Sequence, residues 1–447
     1  MKATAISKAE VSEMPPPSGM VLSRAVAALV PRPGTLAATG LSADLLGDLA
    51  SKLLLRSGVL SLSVLADRLA IPGSVLMEVL SFLRKEARIE VRPGSAAETE
   101  LFYNLTDRGR QAALNSLHRD GYVGPAPVRL EDYARLVTAQ SAHDRRINRS
   151  IMREALGDVV VTDALRDRLG AALNSGRALF LYGPAGTGKT LIANRLQRAA
   201  PSAVLIPHAL LVGTSVLRVF DPVLHDRIDP TDTVSPLMLN AGIDRRYVCC
   251  RRPVIHVGGE LESSMLDVEL RASTQELLAP LQMKANNGML IIDDLGRQRS
   301  TAEQILNRWI VPMEERVDHF SIGGGAYFSI PFDVVLVFST NLAPEMLTDD
   351  ALRRRLGYKI GFGPISADAY HEIWQQNCTA LGLPYDRALV DFVIEELHQR
   401  RGVDLLPVHP RDLLRMVVDR LRYEEKELRI DNELLTWAWD SNFFQPR

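Results

Sequence analysis

The sequence contains few cysteines and no long apolar stretch. Its 447 residues include three cysteines, Cys249, Cys250 and Cys378, which excludes a disulfide framework, and no Cys-x-x-Cys pair indicates a metal site. This cysteine usage predicts a protein of the reducing cytoplasm. No uninterrupted apolar run reaches about 18 residues, so we expect no insertion into a membrane. Residues 1–19 also lack the apolar segment of a signal peptide.

An excess of one charge is missing as well. The chain has 52 Lys and Arg against 54 Asp and Glu, for a formal net charge of −2, so no overall basic field indicates nucleic-acid binding. The hydrophobic fraction of 46% and the charged fraction of 24% are ordinary for a globular protein. The length predicts two or three domains. The composition therefore indicates no particular class of function, and only local motifs can do so.

A glycine-rich loop lies between an apolar run and a helical run. Residues 178–182 predict a buried parallel strand and residues 191–199 a helix. Between them the chain matches G-x-x-x-x-G-K-[ST], the phosphate-binding P-loop. Glycines let successive N–H groups face the phosphates, and the helix presents its positive end to the same anion. We expect Lys189 to reach the β- and γ-phosphates of ATP and Thr190 to bind Mg²⁺. The predicted nucleotide-binding residues are Gly183, Pro184, Ala185, Gly186, Thr187, Gly188, Lys189, Thr190 and Leu191.

Two later apolar runs end in polar residues. Residues 289–292 precede Asp293 and Asp294, and residues 332–338 precede a segment that ends at Asn341. Ligands bind at the carboxyl ends of strands in open α/β sheets. We expect Asp293 to hold Mg²⁺ through its water shell and Asp294 to orient or deprotonate the attacking water, with Glu260 or Glu262 as the alternative base. Asn341 is expected to reach the γ-phosphate or that water. The structural alternative is an Asp or Asn that binds its own backbone in a turn.

The first third of the chain predicts a separate domain. Residues 1–40 predict a disordered tail, residues 41–120 a small α+β domain, and residues 121–154 a linker followed by a helix. The order helix, helix, turn, helix, hairpin, helix is that of a winged-helix domain, and residues 103–109 resemble the end of the wing in bacterial winged-helix regulators. The third helix, residues 74–85, has only two cations. A protein-docking role is therefore favoured, and DNA binding stays open.

Between the motifs, the pattern predicts further elements. Strands are expected at 204–207 and 252–257, a helix from about 274 to 285, and two strands around a glycine turn within residues 320–331.

Taken together, the motifs resemble those of the AAA+ ATPases over about residues 155–430. The P-loop, the acid pair, a sensor-type Asn341 and the triplet Arg353, Arg354 and Arg355 follow in that family's order, and Arg411 looks like its second sensor. The resemblance implies a large α/β domain over 155–362, with a P-loop parallel sheet, and a helical lid over 363–447. It also implies an arginine finger, Arg355 or else Arg353, that completes the site of the next subunit in a homo-oligomeric ring, expected to be a hexamer.

Within that family the likeness is divided. The predicted hairpin is similar to the pre-sensor-1 insertion of MoxR-type members, whereas the Asp293-Asp294 pair resembles that of replication initiators and helicase loaders. Asp294 is one methylene shorter than the usual Glu, so slow hydrolysis is expected. The prediction is an ATP-hydrolysing ring protein that remodels a macromolecular partner, as a chaperone or assembly factor with a protein partner. The alternatives are a DNA-associated loader or motor, and a slow ATP-dependent switch.

Overall fold

The structure is a computed structural model. It describes residues 22–93, 101–141, 146–200, 202–228, 242–323, 326–343, 354 and 356–443. The first 21 residues of the predicted tail lie outside this part of the chain.

The N-terminal region packs helices against a small antiparallel sheet of order β1-β3-β2. Apolar residues at helical spacing, such as Leu46, Leu49 and Leu83, are almost completely buried between the helices. Ser42 and Thr106 accept a backbone N–H at the start of the third and sixth helices, which fixes where these helices begin. The elements are α1 (Arg24–Ala28), α2 (Leu36–Thr39), α3 (Ala43–Ser57), β1 (Leu60–Ser61), α4 (Leu62–Leu69), α5 (Gly73–Lys85), β2 (Ile89–Pro93), β3 (Leu101–Leu105) and α6 (Asp107–Arg119).

Two stretches that were predicted to be irregular are packed. Leu22, Val26 and Val30 are buried in a core shared with later strands, so residues 22–40 do not form the predicted disordered tail. Tyr122 and Val128, in the stretch predicted as a linker, are also buried. The chain continues through β4 (Val128–Arg129), α7 (Leu130–Ala139), α8 (Arg149–Ala155) and α9 (Asp163–Ser175). These stretches connect the N-terminal region closely to the rest of the fold.

A five-stranded, all-parallel sheet forms the centre of the molecule. The strand order is β10-β13-β16-β5-β17. Alternate side chains of β13 enter different cores, Leu290 and Ile292 on one face and Met289 and Ile291 on the other. A strand buried on both faces reads as a continuous apolar run, which is why it was recognisable in the sequence. The strands are β5 (Leu179–Tyr182), β10 (Val254–Val257), β13 (Gly288–Ile292), β16 (Val334–Thr340) and β17 (Tyr358–Gly361).

Helices cover both faces of this sheet, so the fold is α/β as predicted. The helix α10 (Lys189–Leu196) follows β5 directly and contributes Ile192 and Leu196 to one core. On the other face, Ile305 and Trp309 pack against the sheet. These two residues belong to the segment that contains α12 (Ala302–Arg308) and α13 (Ile310–Glu315).

A long insertion, which contains β6 to β9, separates α10 from β10, and a shorter one, which contains β11, β12 and α11, separates β10 from β13. Strands of both insertions join β4 in a second, mixed sheet of order β11-β12-β8-β7-β4, and β6 pairs antiparallel with β9. The strand predicted at 204–207 therefore exists, but it pairs outside the parallel sheet. The elements of the first insertion are β6 (Ala203–Pro207), β7 (Ala209–Val212), β8 (Ser215–Arg218) and β9 (Tyr247–Arg251), and those of the second are β11 (Glu269–Arg271), β12 (Glu276–Leu278) and α11 (Leu281–Lys284).

The prediction of a helix from 274 to 285 is wrong. Gln275 has a φ of 57° and turns the chain into β12, and Pro280 immediately precedes the four-residue helix α11. A left-handed residue and a proline each interrupt a helix, and both lie inside the predicted span.

The predicted hairpin is confirmed as β14 (Val317–Ile322) paired with β15 (Ala326–Pro331). Its side chains alternate between the two faces. Phe320, Ile322, Phe328 and Ile330 are buried in the core shared with the insertion, while Tyr327 is 84% exposed. The hairpin therefore lies on the insertion through one apolar face.

At the amino ends of the parallel strands, buried polar side chains form a network with the end of α7. Asn287, just before β13, donates to Val137 O at 2.8 Å and to Asp333 Oδ2 at 2.6 Å. Gln140 Nε2 donates to Asn287 Oδ1 at 2.8 Å and to Leu205 O at 2.9 Å. Asn287 is 1% exposed, and every polar group of its side chain has a partner. This network fixes α7 to the start of two sheet strands.

The C-terminal region is helical. Tyr370, Trp374 and Trp439 are completely buried in its core. Its helices are α14 (Ala367–Leu381), α15 (Arg387–Phe392), a π-helical turn (Val393–Gln399), α16 (Val408–Tyr423) and α17 (Asn432–Asn442). In the part of the chain that the structure describes, no helix is both long and apolar enough to cross a membrane.

Candidate nucleotide site

The glycine-rich loop lies at the carboxyl end of β5, as predicted. Gly183, Gly186 and Gly188 have φ angles of 142°, 81° and 86°. A Cβ on Gly183 would lie 2.1 Å from the carbonyl oxygen of Phe362, and one on Gly186 would lie 2.6 Å from Val408 Cγ1. Two of these glycines are therefore required both by backbone angle and by the closeness of neighbours.

Lys189 is the first residue of α10, and its side chain turns back over the loop. Its Nζ donates to the carbonyl oxygens of Gly183 and Pro184 and to Asn341 Oδ1, each at 2.8 Å. Burial lowers the pKa of Lys189, while Asp293 and Asp294 act in the opposite direction. The ammonium group is thus held at the strand ends, among the polar residues predicted to act with it.

Thr190 and Asp293 are adjacent. The Thr190 hydroxyl donates to Asp293 Oδ2 at 2.7 Å, and the backbone N–H of Asp294 donates to Asp293 Oδ1 at 3.0 Å. Burial alone raises the pKa of Asp293, but hydrogen bonds from His256, Ser339, Thr190 and that N–H together hold it well below its usual range. Asp293 is therefore a carboxylate at neutral pH, as a metal ligand must be.

Asp294 has an unusual backbone conformation. Its φ is 49°, in the left-handed region, which Asp tolerates better than most residues. Asn341 Nδ2 donates to Asp294 Oδ1 at 3.0 Å. Because Asn341 Oδ1 accepts from Lys189, the amide of Asn341 bridges the lysine and the second acid. The sequence predicted that these residues would meet, and the structure brings them together.

The donors fit a magnesium–nucleotide complex. Thr190 and Asp293 present oxygen ligands, which Mg²⁺ prefers. The left-handed glycines and the start of α10 present backbone N–H groups to an anion, and Lys189 adds a fixed positive charge. When bound, Mg²⁺ would neutralise charge on the phosphates.

The remaining predicted P-loop residues have more limited roles. The Thr187 hydroxyl donates to Pro184 O at 2.9 Å and is buried, so it stabilises the loop from within. Pro184 and Ala185 are exposed at the loop tip, and Leu191 is 45% exposed on α10.

Of the predicted arginines, the structure describes Arg354 and Arg411. Arg411 lies in α16 and pairs with Asp412 at 3.0 Å, with half of its side chain exposed. The start of α16 does contact the loop, because the N–H of Val408 donates to Gly186 O at 3.2 Å. Arg353 and Arg355 lie outside the described residues, and Arg354 is exposed.

The structure also describes both alternative bases. Glu260 accepts the backbone N–H of Gly258 at 3.0 Å, and Glu262 pairs with Arg299 at 2.9 Å. Each carboxylate has a local partner in an exposed loop.

Three residues at the site were not predicted. His256 Nε2 lies 3.5 Å from Asp293 Oδ2, and Ser339 also donates to that carboxyl group. Both lie near the carboxyl ends of strands, a position that could have identified them. Gln298 donates to the backbone of the acid pair from four residues downstream. No sequence pattern marks Gln298, since its role depends on how the loop folds back.

Comparison with known proteins yields one family match and several distant structural similarities. Residues 366–441 match a family described as Domain of unknown function (DUF8689). None of the curated proteins matches this chain. The chain is similar to the RuvB Holliday junction branch migration motor of Thermotoga maritima, with 15% identity over 65% of this chain and 73% of that chain and a TM-score of 0.38.

Two other solved structures show similarity at the same level. For NtrX from Brucella abortus the identity is 14% over 72% of this chain and 66% of that chain, with a TM-score of 0.38. For domain III of the replication initiation protein DnaA of Thermotoga maritima it is 14% over 68% of this chain and 100% of that chain, with a TM-score of 0.35.

Proposed function

We propose that this chain is an AAA+-type ATPase that hydrolyses ATP in the presence of Mg²⁺. One observation carries the proposal: Lys189, Asn341 and Asp294 form a continuous hydrogen-bonded chain beside the Thr190–Asp293 pair. A cation at the start of α10 and an amide and two carboxylates at the ends of β16 and β13 are the groups that phosphoryl transfer to water requires.

Each of these side chains has a defined role in the proposed reaction. Lys189 leaves Asn341 and binds the β- and γ-phosphates, and Thr190 and Asp293 hold the metal ion. Asp294, released from the same amide, orients the attacking water and accepts its proton. The shorter reach of Asp compared with Glu favours slow turnover.

Replacing Asp294 tests this assignment directly. Asp294→Asn keeps the size of the side chain and its contact with Asn341 but cannot accept a proton. We expect ATP binding to persist and phosphate release to fall roughly 10²- to 10⁴-fold. Turnover near that of the wild type would move the base to Glu260 or Glu262. Wild-type protein with and without EDTA provides the control for metal dependence.

The proposal includes a ring, with Arg355 or Arg353 acting on the site of the adjacent subunit. An arginine supplied in trans accelerates such reactions roughly 10³-fold or more. An Arg355→Ala chain should bind ATP and be inactive alone, but recover activity when mixed with Lys189→Ala chains, because each supplies what the other lacks. Light scattering that shows an ATP-bound monomer with a concentration-independent rate contradicts the ring.

For the partner, we favour a protein that is remodelled by the ring. The helix α5 exposes Met77 at 53% and offers Arg84 and Lys85 only in its last turn, which suits a protein surface better than a phosphate backbone. Pull-down with the Asp294→Asn variant and ATP should retain the partner. Strong stimulation of ATP hydrolysis by added DNA would favour the DNA-associated alternative instead.

A further inference from the structure

Gln298 holds the loops that follow two neighbouring strands. Its Nε2 lies 3.1 Å from the carbonyl oxygens of Gly258 and Asp293 and 3.3 Å from that of Asp294. Its Oε1 accepts the backbone N–H of Gly296 at 2.9 Å. Gly258 follows β10 and the two acids follow β13, so one half-buried amide connects both strand ends.

The orientation of this amide is fixed by its partners. Three carbonyl oxygens can only accept hydrogen bonds, and the N–H of Gly296 can only donate one. The opposite orientation would place oxygen against three oxygens and nitrogen against a donor. No other side chain type of this length can both donate to the carbonyl oxygens and accept from the N–H group.

The segment held by Gln298 is the one that presents the catalytic carboxylate. On its other side, Leu295 donates its N–H to Ser339 O at 2.8 Å and accepts from the Thr340 hydroxyl at 2.8 Å. Asp294 lies between these two attachments with a φ of 49°. Its left-handed backbone is therefore determined from the β10 side by Gln298 and from the β16 side by the end of that strand.

We propose that Gln298 is a positioning residue, which holds the carboxylate of Asp294 where it can orient and deprotonate the attacking water. This inference rests on the proposed ATPase function. Gln298 contacts the acid pair only through the backbone carbonyl oxygens of Asp293 and Asp294, not through their carboxylates. Loss of its amide frees the backbone on the β10 side and lets Asp294 shift. A displacement of about 1 Å in a reacting group can lower a rate roughly 100-fold.

Gln304 offers a matched control a few residues downstream. It is the capping-box glutamine of α12, where its Oε1 accepts the backbone N–H of Thr301 at 3.1 Å. Gln304→Ala removes an amide of the same type from the same segment without touching the acid pair. Gln298→Glu is the second test variant, because it keeps the acceptor for Gly296 and the size of the side chain but removes the donor.

The experiment measures three quantities on the full chain: the rate of phosphate release, the Kd of a fluorescent ATP analogue with Mg²⁺, and the thermal midpoint without nucleotide. For both Gln298→Ala and Gln298→Glu we expect the rate to fall roughly 10- to 100-fold with Kd unchanged. Gln304→Ala should lower the thermal midpoint by about as much as Gln298→Ala does, but it should keep the wild-type rate.

Three outcomes would overturn the inference. These are an unchanged rate in both Gln298 variants, an equal loss of rate in Gln304→Ala, and a loss of rate that follows a matching rise in Kd. If the wild-type chain does not hydrolyse ATP, the proposed function and this inference fall together. An active wild type with fully active Gln298 variants overturns the inference alone.

Discussion

The two ends of the parallel sheet carry similar side chains in different surroundings. At the carboxyl end, Asn341 bridges Lys189 and Asp294, and all of its partners are side chains. At the amino end, the side chain of Asn287 has three partners, Gln140, Asp333 and the carbonyl group of Val137 in a neighbouring helix. Asn341 is half-buried, whereas Asn287 is 1% exposed.

This difference in burial distinguishes an amide that stabilises the fold, Asn287, from one that is available to a ligand, Asn341. A buried amide whose partners are fixed costs much free energy to remove, because the partners are left without hydrogen bonds in a dry interior. A half-buried amide that bridges two charged side chains can exchange partners for water or for a ligand. Polar residues at both ends of the same strands can thus be necessary for different reasons.

The largest effect is expected at the carboxyl end. Lys189→Ala removes the cation that binds the β- and γ-phosphates, so the affinity for a fluorescent ATP analogue should fall by roughly two orders of magnitude or more. Lys284→Ala, in α11 near the amino end, removes a lysine that pairs with Asp221 at 3.0 Å. This control should keep the affinity. Near wild-type binding by Lys189→Ala would refute the assignment of the loop.

Two asparagine variants test whether the two ends of the sheet differ in this way. Asn287→Ala should lower the free energy of unfolding by roughly 2–4 kcal/mol, since it leaves buried partners unsatisfied, and Asn341→Ala by less than about 1 kcal/mol. Turnover per folded molecule should respond the other way, with a loss only in Asn341→Ala. Urea unfolding and phosphate release provide the two readouts. Equal destabilisation by both variants would remove the distinction between the two ends.

The smallest effect concerns pH and the helix that supports the loop. His409, next to Val408, is buried, and its Nδ1 has no hydrogen-bond partner among the described residues. Burial, followed by the neighbouring His398, lowers the pKa of His409 to about 4, below its unfolded value of 6.5. The unfolded chain therefore binds the proton first as pH falls, and stability decreases between these two values.

Thermal midpoints at pH 7.5 and pH 5 measure this contribution. The decrease should be smaller in His409→Phe than in the wild type, because the variant has no proton to bind there. His319→Gln, on the exposed face of the hairpin, should follow the wild type. An identical pH response in all three chains would show that His409 does not contribute.

The sequence predicted the parallel sheet and the central residues of the site because their signals are local. A strand buried on both faces is a continuous apolar run, and the P-loop has a fixed spacing. The same pattern at 204–207 did not reveal that β6 pairs antiparallel with β9, since pairing depends on residues far away in the chain. The turn at Gln275 was missed because a left-handed residue other than Gly has no clear signature.

The role of Gln298 could not be predicted for a related reason. Its partners are backbone carbonyl groups, which every residue possesses, so the sequence does not distinguish this glutamine from an exposed one. The conformation of the loop alone decides which carbonyl groups it meets.

The position of β5 within the sheet has a consequence for synthesis of the chain. Its two neighbours are β16 and β17, which pair with it through residues 337–340 and 358–361. The strand therefore leaves the ribosome about 150 residues before its first partner, a delay of roughly 10–30 s at usual translation rates. Until β16 is synthesised, β5 has no neighbouring strand to fix the position of the glycine-rich loop. A nascent chain of 330 residues would therefore contain the whole P-loop motif but no formed binding site. Its apolar residues would need protection from aggregation during that interval.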